Sequence, residues 1–508
     1  MKADERLFLF FSRSCYNLIM EKKQIFNIIK FPYFLLGLIL ILAFCLQIFR
    51  LSAESFWMDE IYTIQAAEMP TGTMLSEILK QNHSPLYFLF IKAWLFIFGD
   101  SEFFLRFPSV IFGVLVVFLT FLVGRELFGR EIGLLSAFFV AIHPMIIEYA
   151  QEGRMYTLLT AFVLCSVYFM LKMEKSGFQK FKTFFIVATS AALYTHAYAN
   201  FYFIAVFFYL FLKYFRKSIF NKALVVVIIP AVFYAPYFFA LFLQILYPDK
   251  YSPILMWEKV PLNIALVKYL FVRSDIATYS NPDPQFYLLP SIILILFLLY
   301  SVYSVLNIQD KTKISYLTFL YLWLFLPLLI PFAVSVFWKR IFSIHYAIFI
   351  IPALYIIISW AMWRFPYNKL RLPRIHSITV LLVIVSFFVS LNLKDFYSQY
   401  HKPPWRLVAD YIRENKNKAE AVVLFEEAGA VPDVIKHYRP GLPILRSFDL
   451  KPEQVKGRDI FLVSLGQIDE KMISEEALSI LDQRLAGQLS IDRIWIYHLM
   501  RSKTKDEK

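Results

Sequence analysis

Apolar residues in this chain come in long unbroken runs. They show neither the alternation of a half-buried strand nor the single stripe of a surface helix. A helix needs ~20 largely apolar residues to cross ~30 Å of hydrocarbon. Runs of that kind lie near 32–49, 105–124, 131–149, 155–172, 182–198, 200–216, 222–246, 286–306, 314–337, 341–363 and 376–394, which predicts about eleven transmembrane helices. A further run, 85–98, is shorter and carries Lys92, and is read as a juxtamembrane helix lying along the interface. After residue 394 the pattern changes. PPWRLVADYIREN has a helical period, and AVVLF, LPILR, IFLVSL and IWIYHLM read as short buried strands. The expected organisation is a transmembrane domain over 1–394 and a small α/β domain over 395–508.

Composition supports this division. Of 508 residues 59% are hydrophobic and 18% charged, and the mean hydropathy is +0.57. Soluble globular chains run nearer ~45–50% and ~25%. The chain therefore reads as a polytopic α-helical membrane protein. Cys15, Cys45 and Cys165 stand apart and build neither a disulfide framework nor a zinc site.

The net charge of +14 is read as cytoplasmic loops obeying the positive-inside rule, and not as a nucleic-acid surface. Arg125 and Arg130, Lys172 to Lys182, Lys213 to Lys222, Lys311 and Lys313, and Arg364 to Arg374 fall on one side if 85–98 does not span. That choice puts the N-terminus in the cytoplasm. The loop 50–104, the loop 247–285 and the C-terminal domain are then extracytoplasmic.

Polar chemistry gathers on that outer side. Asp59 and Glu60 follow the first span in SFWMDEIYTIQ, flanked by Trp57 and Tyr62. Such a pair is either a solvated acidic couple in an aromatic belt or a general base or metal ligand facing a cavity. His83, His143, His196 and His345 sit at the same face, with Glu148, Glu152 and Arg154 nearby. Polar groups repeatedly placed at one membrane depth mark a substrate site more often than they arise by chance. Lys339 and Arg340, outside against the charge trend, either snorkel or hold a phosphate at headgroup level. The tail has no phosphate-binding glycine motif and no catalytic cluster.

These motifs taken in order carry a resemblance. Asp-Glu and an aromatic after the first span, HSPLYF, FGDSEFFLRFPSVIFG, GRELFGREIGLLSAFFVAIHP and YAQEGRMYTLL resemble the GT-C glycosyltransferases. Within these, the sequence is most like the protein O-mannosyltransferase-like and lipid A aminoarabinose transferase-like families. The likeness is strong over roughly 50–200, weaker at YTHAY and WKRIF, and nearly absent in the tail.

The resemblance implies an inverting transferase that takes a sugar from a polyprenyl-phosphate-linked donor to a hydroxyl of a lipid, glycan or protein acceptor. The expected place is the outer face of a bacterial inner or plasma membrane. By motif position Asp59 is the catalytic carboxylate, with Glu60 beside it. His83 stands where relatives carry His or Lys before Pro-Pro-Leu, with Ser84 replacing the first proline. Relatives of the aminoarabinose type have Arg-x-Asp at the start of the fourth span. Here Arg154-Met155-Tyr156 lacks the acid, and Glu152 is the candidate substitute.

The expected catalytic set is therefore Asp59, Glu60 and Glu152, and the expected substrate-binding set is His83, Arg154, Tyr156, His196, Lys339, Arg340 and His345. No cofactor is required for a monophosphate donor, although Glu60 and His83 are possible ligands of a divalent metal. Two other classes share the outline. A lipid-linked-glycan flippase or transporter would place its charges at mid-bilayer, and a sugar polymerase or ligase should lack the Asp-Glu after the first span.

Overall fold

The computed structural model describes residues 32–246, 285–338, 341–370, 372–398, 402–415, 421–424, 431–438, 444–446, 460–465, 483–491 and 494–501. The loop 247–284, the pair Lys339 and Arg340, and the N-terminal 31 residues with their cations lie outside the described residues.

The first apolar run is helix α1 (Pro32–Ile48). Between it and the next long helix stand α2 (Met58–Glu68), α3 (Thr71–Lys80) and α4 (Pro85–Phe98). Then follow α5 (Glu102–Phe128), α6 (Arg130–Ala141), α7 (Pro144–Ala150), α8 (Tyr156–Lys175), α9 (Lys182–Thr195), α10 (Ala199–Tyr214), α11 (Phe220–Leu246), α12 (Gln285–Leu306) and α13 (Lys311–Phe337). A 3-10 turn over His345–Ile350 leads into α14 (Ile351–Arg364), and α15 (Arg374–Ser398) closes the bundle.

The chain is a multi-pass membrane protein. Among the described residues six helices are long and apolar enough to cross a membrane, or seven if the bent pair α6–α7 forms one span. The remaining apolar helices are shorter, so each predicted span has a helix but length alone does not qualify all eleven. The predicted span 131–149 is broken at His143 by a 61° bend. Pro144 has no N–H to continue α6 and pushes His143 into extended backbone (φ −69, ψ 122).

Helix α5 is the spine of the bundle and packs against α6, α7 and α8. It meets α6 almost backbone to backbone. A Cβ on Gly133 would lie 2.7 Å from the Phe121 carbonyl oxygen, and one on Gly124 would lie 2.9 Å from Gly133 Cα. Pro108 leaves the carbonyl of Phe104 without its helical partner, and the Trp94 indole donates to that oxygen at 2.8 Å. This bond fastens α4 to α5. The single cation of α4, Lys92, donates to Ala67 O and Met69 O at 2.6 Å and caps the carbonyl end of α2. The juxtamembrane segment expected at 85–98 is a docked helix with Tyr87, Phe88 and Ile91 buried.

The tail forms helices α16 (Trp405–Glu414) and α17 (Val431–Tyr438) and a five-stranded sheet. Its strands are β1 (Ala421–Leu424), β2 (Ile444–Arg446), β3 (Ile460–Leu465), β4 (Gln483–Ile491) and β5 (Ile494–Arg501), ordered β2-β1-β3-β5-β4. β1 pairs in parallel with β2 and β3, and β5 runs antiparallel to β3 and β4. The tail is therefore the small α/β fold that the short apolar runs imply, with the unforeseen β4 added at one edge.

Candidate active site

The site lies where α2, the α7–α8 link and the first turns of α5 converge. Two adjacent carboxylates at the start of α2 are treated in opposite ways. Glu60 occupies the third helical position, where a carboxylate reaches back to the N-cap backbone, and accepts from Trp57 N at 2.9 Å. It also accepts from Arg106 Nε and Nη2, both at 2.8 Å, from Gly153 N at 2.9 Å and from Lys402 Nζ at 3.1 Å. It is wholly buried. Burial pushes its carboxyl up, but Arg106 and Lys402 outweigh that and hold it well below the usual range.

Both oxygens of Glu60 are spent on cations and N–H donors, a donor set that does not fit a metal ion. Among the described residues no group of three or more His, Cys, Asp or Glu is placed to hold one.

Arg106 is as fully engaged. Besides Glu60, its Nη1 donates to Leu51 O and Glu54 O, and its Nη2 to Ser55 O, at 2.9–3.0 Å. Glu60 and Arg106 together pin the α1–α2 connector onto α5. Gly153 is required for the fit, since a Cβ there would meet Leu105 Cγ at 2.4 Å.

Asp59, one residue earlier, points the other way. Its side chain is 56% exposed and its carboxylate pairs with Arg154 Nη2 at 3.6 Å. Arg154 is buried and also directs Nη1 to Asp59 O and Thr63 Oγ1, each at 3.4 Å. Its Nε, with Tyr87 Oη and Thr157 Oγ1, is buried without a hydrogen-bond partner among the described residues.

His83 stacks loosely on Tyr62 and Phe88, ring centroids 5.4 Å from each, and its carbonyl accepts from Tyr237 Oη at 2.6 Å. Burial first, then the neighbouring Arg154 guanidinium, hold His83 well below the usual imidazole value. It is therefore a neutral N–H donor at pH 7.

His196 ends α9. Its Nδ1 accepts from Tyr198 N at 3.1 Å. Tyr156 lies 6.1 Å from His196, 5.6 Å from His345 and 6.3 Å from Tyr346, ring centre to ring centre. His345 hydrogen-bonds Ser343 Oγ at 2.8 Å. Glu152 sits half-buried in the α7–α8 link. Burial raises it to about 7, with Lys402 opposing and Glu60 and Asp59 reinforcing the rise.

The fold thus brings together Asp59, Glu60, His83, Glu152, Arg154, Tyr156, His196 and His345. Lys339 and Arg340 are outside the described residues. Sequence reasoning missed Arg106 and Lys402. An arginine in the apolar stretch FFLRFPSVIFG is itself a sign of a buried partner, whereas HKPPW carries no comparable signal.

Comparisons with known proteins bear on the fold that carries these residues. Residues 82–239 match the family model described as dolichyl-phosphate-mannose-protein mannosyltransferase. ArnT from Cupriavidus metallidurans bound to undecaprenyl phosphate superposes with a TM-score of 0.54 at 12% identity, over 91% of this chain and 97% of that one. The Archaeoglobus fulgidus oligosaccharyltransferase in complex with Zn and sulfate superposes with a TM-score of 0.53 at 12% identity, over 88% and 69%. AglB from the same organism, with an inhibitory peptide and a dolichol-phosphate, gives 0.53 at 11% identity over 95% and 75%. No curated protein matches the sequence. The chain has the fold of the GT-C glycosyltransferases, as its motifs implied.

Proposed function

We propose that the chain is an inverting glycosyltransferase that moves a sugar from a polyprenyl-phosphate-linked donor to an acceptor hydroxyl, at an extracytoplasmic site. The observation that carries this reading is the split between the two carboxylates. Asp59 is open to an incoming group and held by a buried arginine, inside a fold shared with a transferase crystallised with undecaprenyl phosphate.

In the proposed step Asp59 takes the proton of the acceptor hydroxyl, whose oxygen bonds to the anomeric carbon. The bond from that carbon to the donor phosphate oxygen breaks on the opposite face, and polyprenyl phosphate leaves with the electron pair. A positioned base contributes roughly 10²–10⁴-fold to such a step. Arg154 supplies fixed positive charge, and the neutral imidazole of His83 supplies a hydrogen-bond donor. Preorganised donors of this kind are each worth about 3–4 kcal/mol in the transition state. Tyr87 Oη, Thr157 Oγ1 and Arg154 Nε are buried beside Asp59 with hydrogen-bonding capacity unspent among the described residues.

The test uses purified full-length protein in lipid nanodiscs, offered polyprenyl-phosphate sugars and envelope-lipid or glycan acceptors, with mass spectrometry of the products. Release of polyprenyl phosphate together with a glycosylated acceptor of inverted anomeric configuration is expected. Product of retained configuration, or no product from any polyprenyl-phosphate sugar, contradicts the reading.

A further inference from the structure

The connector between α1 and α2 is gripped from two sides. On the membrane side Arg106 and the Gly153 amide hold it. On the tail side Arg406 N donates to Ser55 Oγ at 3.1 Å and Arg406 Nη2 to Ser52 O and Ala53 O at 3.2–3.3 Å. Tyr438 Oη accepts from Phe56 N at 2.7 Å and donates to Glu102 Oε1 at 2.9 Å. Arg50 donates to Tyr397 O, and Tyr397 Oη to Leu46 O. The two grips meet at one atom. Glu60 Oε2 takes Arg106 Nη2 from α5 and Lys402 Nζ from the entrance to the tail.

Lys402 is 5% exposed, and a lysine is seldom buried that deeply. Whole buried ion clusters can be exchanged for apolar residues of similar volume without loss of stability, so a buried charge is weak evidence of a stabilising role. The buried ammonium is better explained by what it holds. Glu60 is the residue next to Asp59 on the first turn of α2, so a group that fixes the Glu60 carboxylate fixes the direction in which Asp59 points.

We infer that Lys402 is a positioning residue of the transfer reaction, through which the C-terminal domain sets the helix turn that carries Asp59. The charge balance makes this testable. Glu60 is one anion facing two cations, so removing Lys402 leaves the Glu60–Arg106 pair balanced and the fold in place. A displacement near 1 Å at a reacting group costs up to about 10²-fold in rate.

The inference rests on the transferase reading for its kinetic arm only. Lys402→Met and Lys402→Arg are compared with wild type as full-length protein in nanodiscs, by hydrogen exchange and by steady-state transfer. In Lys402→Met the amides of 55–62 are expected to exchange about tenfold faster, while those of 160–175 stay unchanged. kcat is expected to fall on the order of 10- to 100-fold, with KM for the polyprenyl-phosphate sugar within about twofold. Lys402→Arg restores most of both.

Unchanged exchange at 55–62, exchange that rises over the whole chain, or a loss confined to KM overturns the inference. If Lys402→Met does not fold, Lys402→Gln carries the same comparison. Local loosening at 55–62 in a protein whose wild type transfers no sugar upholds the Lys402 tie and defeats the transferase reading.

Discussion

The two ends of the helical bundle handle carboxylates differently. At the end away from the site, Glu126 takes Lys172 at 2.9 Å and Lys175 at 2.6 Å. Glu174 takes Lys213 at 2.9 Å with Tyr209 Oη and Tyr214 Oη at 3.1 and 3.0 Å. Both acids are nearly buried and fully satisfied. At the site end Glu60 is closed in the same manner, yet its neighbour Asp59 is more than half exposed with one long ion pair. A satisfied carboxylate holds helices together. One left open beside it, on a frame this rigid, is available for chemistry.

The most severe way to break the comparison is Arg106→Ala. It strips Glu60 of its bidentate partner and three connector carbonyls of their donor, and breaking a buried pair costs about 3–5 kcal/mol. A large drop in thermal midpoint, with loss of transfer, is expected from melting in detergent.

Gly153→Ala comes next. Its Cβ would overlap Leu105, and overpacking costs about 1–3 kcal/mol. Because the clash sits beside Glu152 and Arg154, transfer should fall by more than the thermal midpoint implies.

A smaller effect sharpens the site end. The carboxyl of Glu152 is raised from 4.5 to about 7, so between those values the folded protein holds a proton that the unfolded chain has released. Stability from this group is complete below about 4.5 and is lost as pH rises toward 7. Glu152→Gln should flatten that decline in a midpoint-against-pH series.

At the far end Glu174→Gln keeps hydrogen bonds to both tyrosines and loses only the charge pairing with Lys213. Lys213 keeps its hydrogen bond to Tyr209 Oη at 2.6 Å, so the midpoint should fall far less than in Arg106→Ala, with turnover untouched in the same nanodisc assay.

Much of this was legible in the chain itself. Hydropathy alone located the helices because each run must satisfy its backbone internally in lipid. The Asp-Glu pair, HSPLYF and EGRMY marked the site because polar side chains clustered at span ends are uncommon without a role. The different fates of Asp59 and Glu60 were not legible. They depend on Arg106 and Lys402, 46 and 342 residues from Glu60, and no local pattern encodes such partners. Strand β4 was missed because QRLAGQLSI interrupts its apolar residues with Gly487 and a register shift. The bend at His143 was present in the Ile-His-Pro step and was masked by the length of the surrounding apolar run.

The central claim is that Asp59, and not the buried Glu60, takes the acceptor proton. The direct measurement sets Asp59→Asn beside wild type in the nanodisc assay, following release of polyprenyl phosphate and the thermal midpoint together. Loss of turnover by roughly 10²-fold or more at an unchanged midpoint is the predicted result. Turnover close to wild type in Asp59→Asn would contradict the claim and move the base to Glu152.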